Sequence, residues 1–280
     1  MTYGTLLLHL GDDPHVARRT ELAIHLACRF ESHLVGLAAS GNAAFESSAG
    51  AALLAREELR GAVAAARTQA EARAQLFAER ARASAARSFE TVVVDEDDAP
   101  ALVRQGLCCD LVVLGQPEHG VAGYARTRAQ FEQALLHGAP PALVVPHAWR
   151  QAEAGRTVLV AWNDSRECAR AVVAALPLLQ RAAEVHVVRL DPAFEAEAEG
   201  AAARIERVRD WLARDGVRAN AWCLTTDAGI GPALLDRAAA CGADLIVMGG
   251  WGRARWSERV FGSTTRTVLA RMAVPVLIAR

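Results

Sequence analysis

Two kinds of segment alternate along the whole chain: short unbroken apolar runs, and longer stretches whose apolar positions recur every three or four residues. Runs such as Leu6-Leu7-Leu8, Val112-Val113-Leu114 and Leu245-Ile246-Val247 have the form of strands covered on both faces. The periodic stretches predict helices. In the first part the expected strands are Thr5–Leu10, His33–Ala38, Phe89–Val94, Asp110–Leu114 and Ala142–Val145. In the second they are Val158–Trp162, Val185–Leu190, Arg218–Leu224, Asp244–Met248 and Pro275–Ala279, with helices opening near Ser165, Ala193, Gly231 and Ser263. Strand alternating with helix implies an α/β fold with parallel pairing and helices on both faces of the sheet.

One plan is used twice. "TLLLHLGDDPHVARRTELAIHLA" from Thr5 parallels "TVLVAWNDSRECARAVVAALPLL" from Thr157, an offset of 152. "PALVRQGLCCDLVVLG" from Pro100 parallels "PALLDRAAACGADLIVMG" from Pro232, and "PPALVVP" from Pro140 parallels "VPVLIAR" from Val274, where the offset is 134. It shrinks because the first copy carries extra residues between about Ala43 and Ala86. That stretch is rich in strong helix formers with neighbouring opposite charges, so it predicts one long helix or two with a solvated face. A coiled-coil partner helix is the competing reading, but the apolar spacing is dominated by Ala. The expected division is two tandem doubly wound domains, 1–148 and 156–280, each a five-stranded parallel sheet flanked by helices. The polar stretch "WRQAEAGRT" at 149–157 links them.

Sheets of this kind bind ligands beyond the carboxyl ends of their strands, where the strand order reverses. In the second copy, the loop after the fourth strand reads "MGGWGRARWSERVFGS", with Gly249, Gly252 and Gly262 followed by Ser263. Glycines admit positive φ and close approach of the main chain to a ligand. Ser263 stands where a helix should begin, and a helix start capped by Ser offers free N–H groups to an anion. Arg253, Arg255 and Arg259 lie on the same loop. The competing reading is an ordinary strand-to-helix turn.

The pattern Gly249-x2-Gly252-x9-Gly262-Ser263, followed by Pro275-Val276-Leu277-Ile278, resembles the universal stress protein family. The likeness runs through nearly the whole chain, twice, so the chain looks like a tandem member. The resemblance implies the adenine nucleotide α-hydrolase-like fold and ATP as ligand, with Mg2+ as an optional companion. It places Ala161 and Asn163 after strand one and Leu190 at the end of strand two. Met248, Gly249, Gly252, Arg253, Gly262, Ser263, Thr264 and Thr265 would surround the phosphates and ribose. Where that family's binders usually carry Asp after strand one, this chain has Asn163, with Asp164 and Ser165 behind it. Asn keeps an acceptor and adds a donor while losing the charge. Trp251 has two readings, stacking on a ligand or packing on the adjoining helix.

The first copy departs further. Gly115 matches Gly249, but Glu118 stands at the place of Gly252, and Arg128 and Ala129 replace Gly262 and Ser263. Pro117 removes a backbone donor. A carboxylate aimed at phosphates repels them, so this copy is expected to bind no nucleotide. Family dimers pair through their fifth strands, and here Ala142–Val145 is expected to pair with Val276–Ala279 inside one chain, a pseudo-dimer of the two halves.

Composition narrows the function further. Thirty-one Lys and Arg against thirty-two Asp and Glu leave a net charge of −1, which argues against a nucleic-acid or membrane-surface binder. No apolar run reaches the roughly 18 residues of a membrane span, and the N-terminus has no basic leader. The six cysteines form no C-x-x-C pair and read as reduced thiols in a cytoplasmic protein. There is no P-loop, no G-x-G-x-x-G after the first strand and no G-x-S-x-G elbow. His9 and His186 read as satisfied sheet residues. "DEDDAP" from Asp95 reads as a solvated loop capping the next helix, a metal site being the alternative. Thr225, Thr226 and Asp227 are further candidates for a ribose contact. The expectation is a cytoplasmic stress-response protein binding ATP in its C-terminal half, with any hydrolysis slow and incidental. A nucleotide-free dimerisation scaffold is the alternative, and an ATP-hydrolysing or nucleotidyl-transferring enzyme of related fold trails both. The partners are an adenine nucleotide and the other half of the chain, with a homodimer as a further option.

Overall fold

A computed structural model describes residues 2–41, 56–121, 123–193, 198–250 and 262–280. Along the N-terminal part run β1 (Thr5–His9), α1 (Val16–Phe30), β2 (His33–Ala39), α2 (Arg56–Arg82), β3 (Ser88–Val94), α3 (Asp98–Gly106), β4 (Leu111–Gly115), α4 (Tyr124–His137) and β5 (Ala142–Val145). The C-terminal part has β6 (Thr157–Trp162), α5 (Arg166–Leu179), β7 (Glu184–Pro192), α6 (Ala198–Arg214), β8 (Asn220–Thr226), α7 (Ile230–Ala240), β9 (Leu245–Gly249), α8 (Ser263–Arg271) and β10 (Val276–Ala279). The long helix expected from Ala43 to Ala86 is present as α2, its first part lying outside the described residues.

These elements form two tandem doubly wound α/β domains. One compact unit is Thr2–Pro140 with Arg150–Glu153; the other is Pro141–Trp149 with Ala154–Arg280. In the first unit the strand order is β3-β2-β1-β4, all parallel. In the second it is β5-β10-β9-β6-β7-β8. There every pair is parallel except β5 with β10, where Val144 faces Val276 and Leu143 faces Leu277 in antiparallel register. The fifth strands therefore pair inside one chain, and β5 belongs to the same compact unit as β10.

Burial follows the expectation for helix-covered parallel sheets. Leu6, Leu7 and Leu8 of β1 are fully buried, as are Ile246 and Val247 of β9. In contrast β3 and β8, at the ends of their strand orders, have only exposed and half-buried positions. Each unit opens its first strand with the same device. Asp110 Oδ2 accepts from the Gly4 and Thr5 amides at 2.7 and 2.9 Å, and Asp244 accepts from Gly155, Arg156 and Thr157 at 3.0–3.1 Å.

The acidic loop before α3 does not cap its helix through side chains. Asp97 is the N-cap residue but its carboxylate takes Arg126 at 2.9 Å, and Asp95 takes Arg67 at 2.6 Å. His9 Nε2 lies 2.9 Å from Asp98 Oδ1, and His186 Nε2 lies 3.3 Å from Glu184 Oε2. Among the described residues no helix is long and apolar enough to cross a membrane.

Candidate functional site

In each unit the first strand lies between the second and the fourth, so the chain leaves β1 and β6 in opposite directions across the sheet. The carboxyl ends of those strands are the switch points where doubly wound sheets open. At the end of β6 lies a cleft of about 240 Å3.

Four separate segments line it. Ala161, Trp162 and Asn163 come from the end of β6, and Cys168 from the first turn of α5. β7 supplies Val188 and Leu190, two residues apart and so on one face of the strand. α7 supplies Ile230 and Leu234, spaced i,i+4. Met248 and Gly249 end β9, and Gly262, Ser263, Thr264 and Thr265 begin α8. The result is an apolar slot with amides and hydroxyls at one end.

The start of α8 differs from the sequence expectation in one respect. The N-cap is Gly262, and Ser263 is the first helical residue, with no side-chain cap. The first helical hydrogen bond there runs from Arg266 N to Gly262 O at 3.0 Å. Consequently the amides of Ser263, Thr264 and Thr265 precede the ladder and have no acceptor among the described residues. Their orientation toward a negative ligand needs no capping hydroxyl.

The glycines also have reasons other than the expected one. Neither Gly249 nor Gly262 takes a positive φ, Gly262 standing at −52°. A Cβ on Gly249 would lie 2.5 Å from Cys168 N and 2.7 Å from the Glu167 carbonyl carbon, so Gly249 lets α5 begin against the end of β9. At Gly262 a Cβ would meet nothing within 4 Å among the described residues. Packing does not require glycine there, and the space it leaves is part of the cleft.

At the β6 turn, Ser165 caps α5 by accepting from Cys168 N at 3.2 Å. Asp164 adopts a left-handed backbone (φ 57°), which Asp tolerates better than most residues. Its carboxylate accepts from Trp162 Nε1 at 2.8 Å, Arg204 Nε at 3.0 Å and Arg189. Burial works to raise the Glu167 carboxyl, but the Arg166 guanidinium at 2.7 Å, with hydrogen bonds from the main chain and Ser165, outweighs it and holds the group below its usual value. No carboxylate, imidazole or amine is among the described residues lining the cleft, and no group of three potential metal ligands occurs among the described residues. What the cleft offers is apolar surface, hydrogen bonds and a helix dipole.

Residues 155–280 match the universal stress protein family. The C-terminal half of the chain thus carries the match to that family. As a fold the likeness extends over the whole chain. A universal stress protein from Archaeoglobus fulgidus is 17% identical, with 99% of this chain and 96% of that chain covered at a TM-score of 0.77. A putative universal stress protein from Pseudomonas aeruginosa is 19% identical, covering 99% and 93% at a TM-score of 0.62. A third, from Archaeoglobus fulgidus in complex with dAMP, is 19% identical over 44% of this chain and 97% of that one, at a TM-score of 0.38. No curated protein sequence matches the chain.

Nine residues singled out from sequence lie on one cleft: Ala161, Asn163, Leu190, Met248, Gly249, Gly262, Ser263, Thr264 and Thr265. Gly252, Arg253 and Trp251 lie outside the described residues. Thr225 and Thr226 do not join the cleft. They line a shallow hollow on the other side of Leu190, and Thr226 Oγ1 accepts from Ala228 N at 3.1 Å. Sequence reasoning missed Trp162, Cys168, Val188, Ile230 and Leu234. The period-two relation of Val188 to Leu190 and the i,i+4 relation of Ile230 to Leu234 were the available signals.

Proposed function

We propose that the C-terminal half of this chain binds ATP as a signal of cellular state, in the cytoplasm, with little or no turnover. The observation that carries this reading is the convergence of β6, β7, β9 and the first turn of α8 on one cleft. The slot between Val188, Leu190, Ile230 and Leu234 suits a flat base. The unladdered amides at Ser263, Thr264 and Thr265 suit phosphate oxygens, with Gly252 and Arg253 as further contacts from the loop. Mg2+, where present, rides on the phosphates, since no described cluster of protein groups provides for it. The described lining residues bring no general base to a water molecule, in keeping with binding as the working activity.

The N-terminal half, on this reading, supports the fold and binds no nucleotide. A scaffold that binds none in either half is the second reading, favoured by Asn163 and by the altered first copy, with Glu118 at the place of Gly252. Calorimetry with ATP and Mg2+ separates the two, using wild type and Gly252→Glu, which carries into the second half the residue found at Glu118. The expected result is binding by wild type and a loss of at least about tenfold in the variant, from like-charge repulsion. Equal binding by both would remove the cleft assignment. Binding by neither would leave the scaffold.

A further inference from the structure

Asn163 stands at the mouth of the cleft, where β6 gives way to α5. Its amide has a fixed sense. Oδ1 accepts from Ser165 N at 3.2 Å, and because a main-chain amide can only donate, the oxygen must face the helix start. Cys168 Sγ, 3.0 Å from the same oxygen and 3.3 Å from Ala161 O, shares its single proton between those two acceptors. Nδ2, with two N–H groups, has no acceptor among the described residues, and the residue is exposed. Its neighbours offer no competing group. Ala161, Val188 and Leu190 are apolar, and Trp162 Nε1 is already committed to Asp164. On this wall of the cleft, the side-chain group free to distinguish one flat ring from another is a pair of donors.

We propose that Asn163 presents hydrogen-bond donors to the base, so that the cleft does not select adenine and takes a purine nucleotide with a carbonyl at C6 at least as tightly as ATP. The inference rests on the nucleotide reading given above and names the base chemistry of that site. Adenine carries an amino donor at C6, which meets a donor here; a 6-oxopurine carries an acceptor at the same place.

The test measures dissociation constants of the full chain for ATP and inosine triphosphate, with Mg2+, in wild type and Asn163→Asp. Aspartate keeps the acceptor that Ser165 N requires, so the turn is retained, while both donors are lost. Wild type should bind inosine triphosphate at least as tightly as ATP. The substitution should move the ratio about tenfold toward ATP. A wild-type preference of about tenfold for ATP, or a ratio that Asn163→Asp leaves unmoved, overturns the inference alone. Absence of binding for either nucleotide overturns the nucleotide reading and takes the inference with it.

Discussion

The cleft at the end of β6 has four times the volume of its counterpart at the end of β1, about 240 against about 60 Å3. The smaller space has room for only a few waters. What fills the rest is the chain itself. Arg19, 2% exposed, enters from α1, pairs with Asp13 at 2.7 Å and donates to His9 O at 3.0 Å. Arg73 reaches from α2 to Leu10 O and Ala39 O, both at 2.9 Å, at the ends of β1 and β2. His15 meets Glu118 at 3.0 Å. The helix after the fourth strand is shifted as well. α4 begins at Tyr124, so Ala129, which matches Ser263, sits in the helix interior with its amide already in the ladder. The same fold thus makes a cleft or a solid, depending on whether its own side chains serve the polar groups at the switch point.

The glycine that ends the fourth strand gives the strongest way to break this comparison. At Gly249 an added Cβ would strike main-chain atoms of α5, which cannot move alone, whereas at Gly115 it would strike the Arg19 guanidinium, at the end of a flexible side chain. Gly249→Ala should cost about 3 kcal/mol and Gly115→Ala about 1 kcal/mol. All six tryptophans lie in the second unit, so their fluorescence during urea unfolding reports the cost of Gly249→Ala, and far-ultraviolet dichroism reports that of Gly115→Ala in the first unit. Equal costs would mean that the close approach of α5 to β9 is not what demands glycine at Gly249.

That contrast also marks what the sequence could and could not convey. Strands buried on both faces, such as Leu6–Leu8, are legible because no alternative packing suits an unbroken apolar run. The repeat made the two switch points legible, and with them most of the cleft. Arg19 was not legible. A lone cation on an amphipathic helix reads as solvated, and only the fold brings it against Gly115 and Asp13. The fault at Glu118 was visible as a charge, but not as a group 3.0 Å from His15. Ser263 was placed one residue too early in its helix, because capping preference does not separate the N-cap from the first turn when glycine precedes serine.

Arg19→Ala is the next test in size. It leaves Asp13 without its cation and His9 O without that donor, and it opens space beside Gly115. The cost should be about 2 kcal/mol, below that of breaking a wholly buried pair because the Asp13 side chain keeps 35% exposure. The loss should appear in far-ultraviolet dichroism while the tryptophan signal of the second unit holds. No nucleotide affinity should be gained, since Glu118 and the early start of α4 remain. ATP binding to the N-terminal half of this variant would show that the arginine alone separates the two clefts.

The smallest expected effect concerns acid. Burial by itself would raise the Asp13 carboxyl, but the charge and hydrogen bond of Arg19, the charge of His9 and the His15 amide outweigh it and hold the group below its usual value. For Asp98, burial is likewise outweighed, chiefly by His9. A carboxyl whose folded value lies below its unfolded value, near about 3.9, stabilises fully above the unfolded value. That contribution is lost as pH falls through the folded value. Both groups line the filled cleft, and no carboxylate is among the described residues lining the open one. Acid should therefore loosen the first unit through its own plug. Asp13→Asn should cost about 1 kcal/mol at neutral pH, after screening by solvent, and the gap from wild type should close as pH falls through the lowered folded value. A gap that persists undiminished at about pH 2 would place the cost of this substitution in packing rather than in the charge that closes the first cleft.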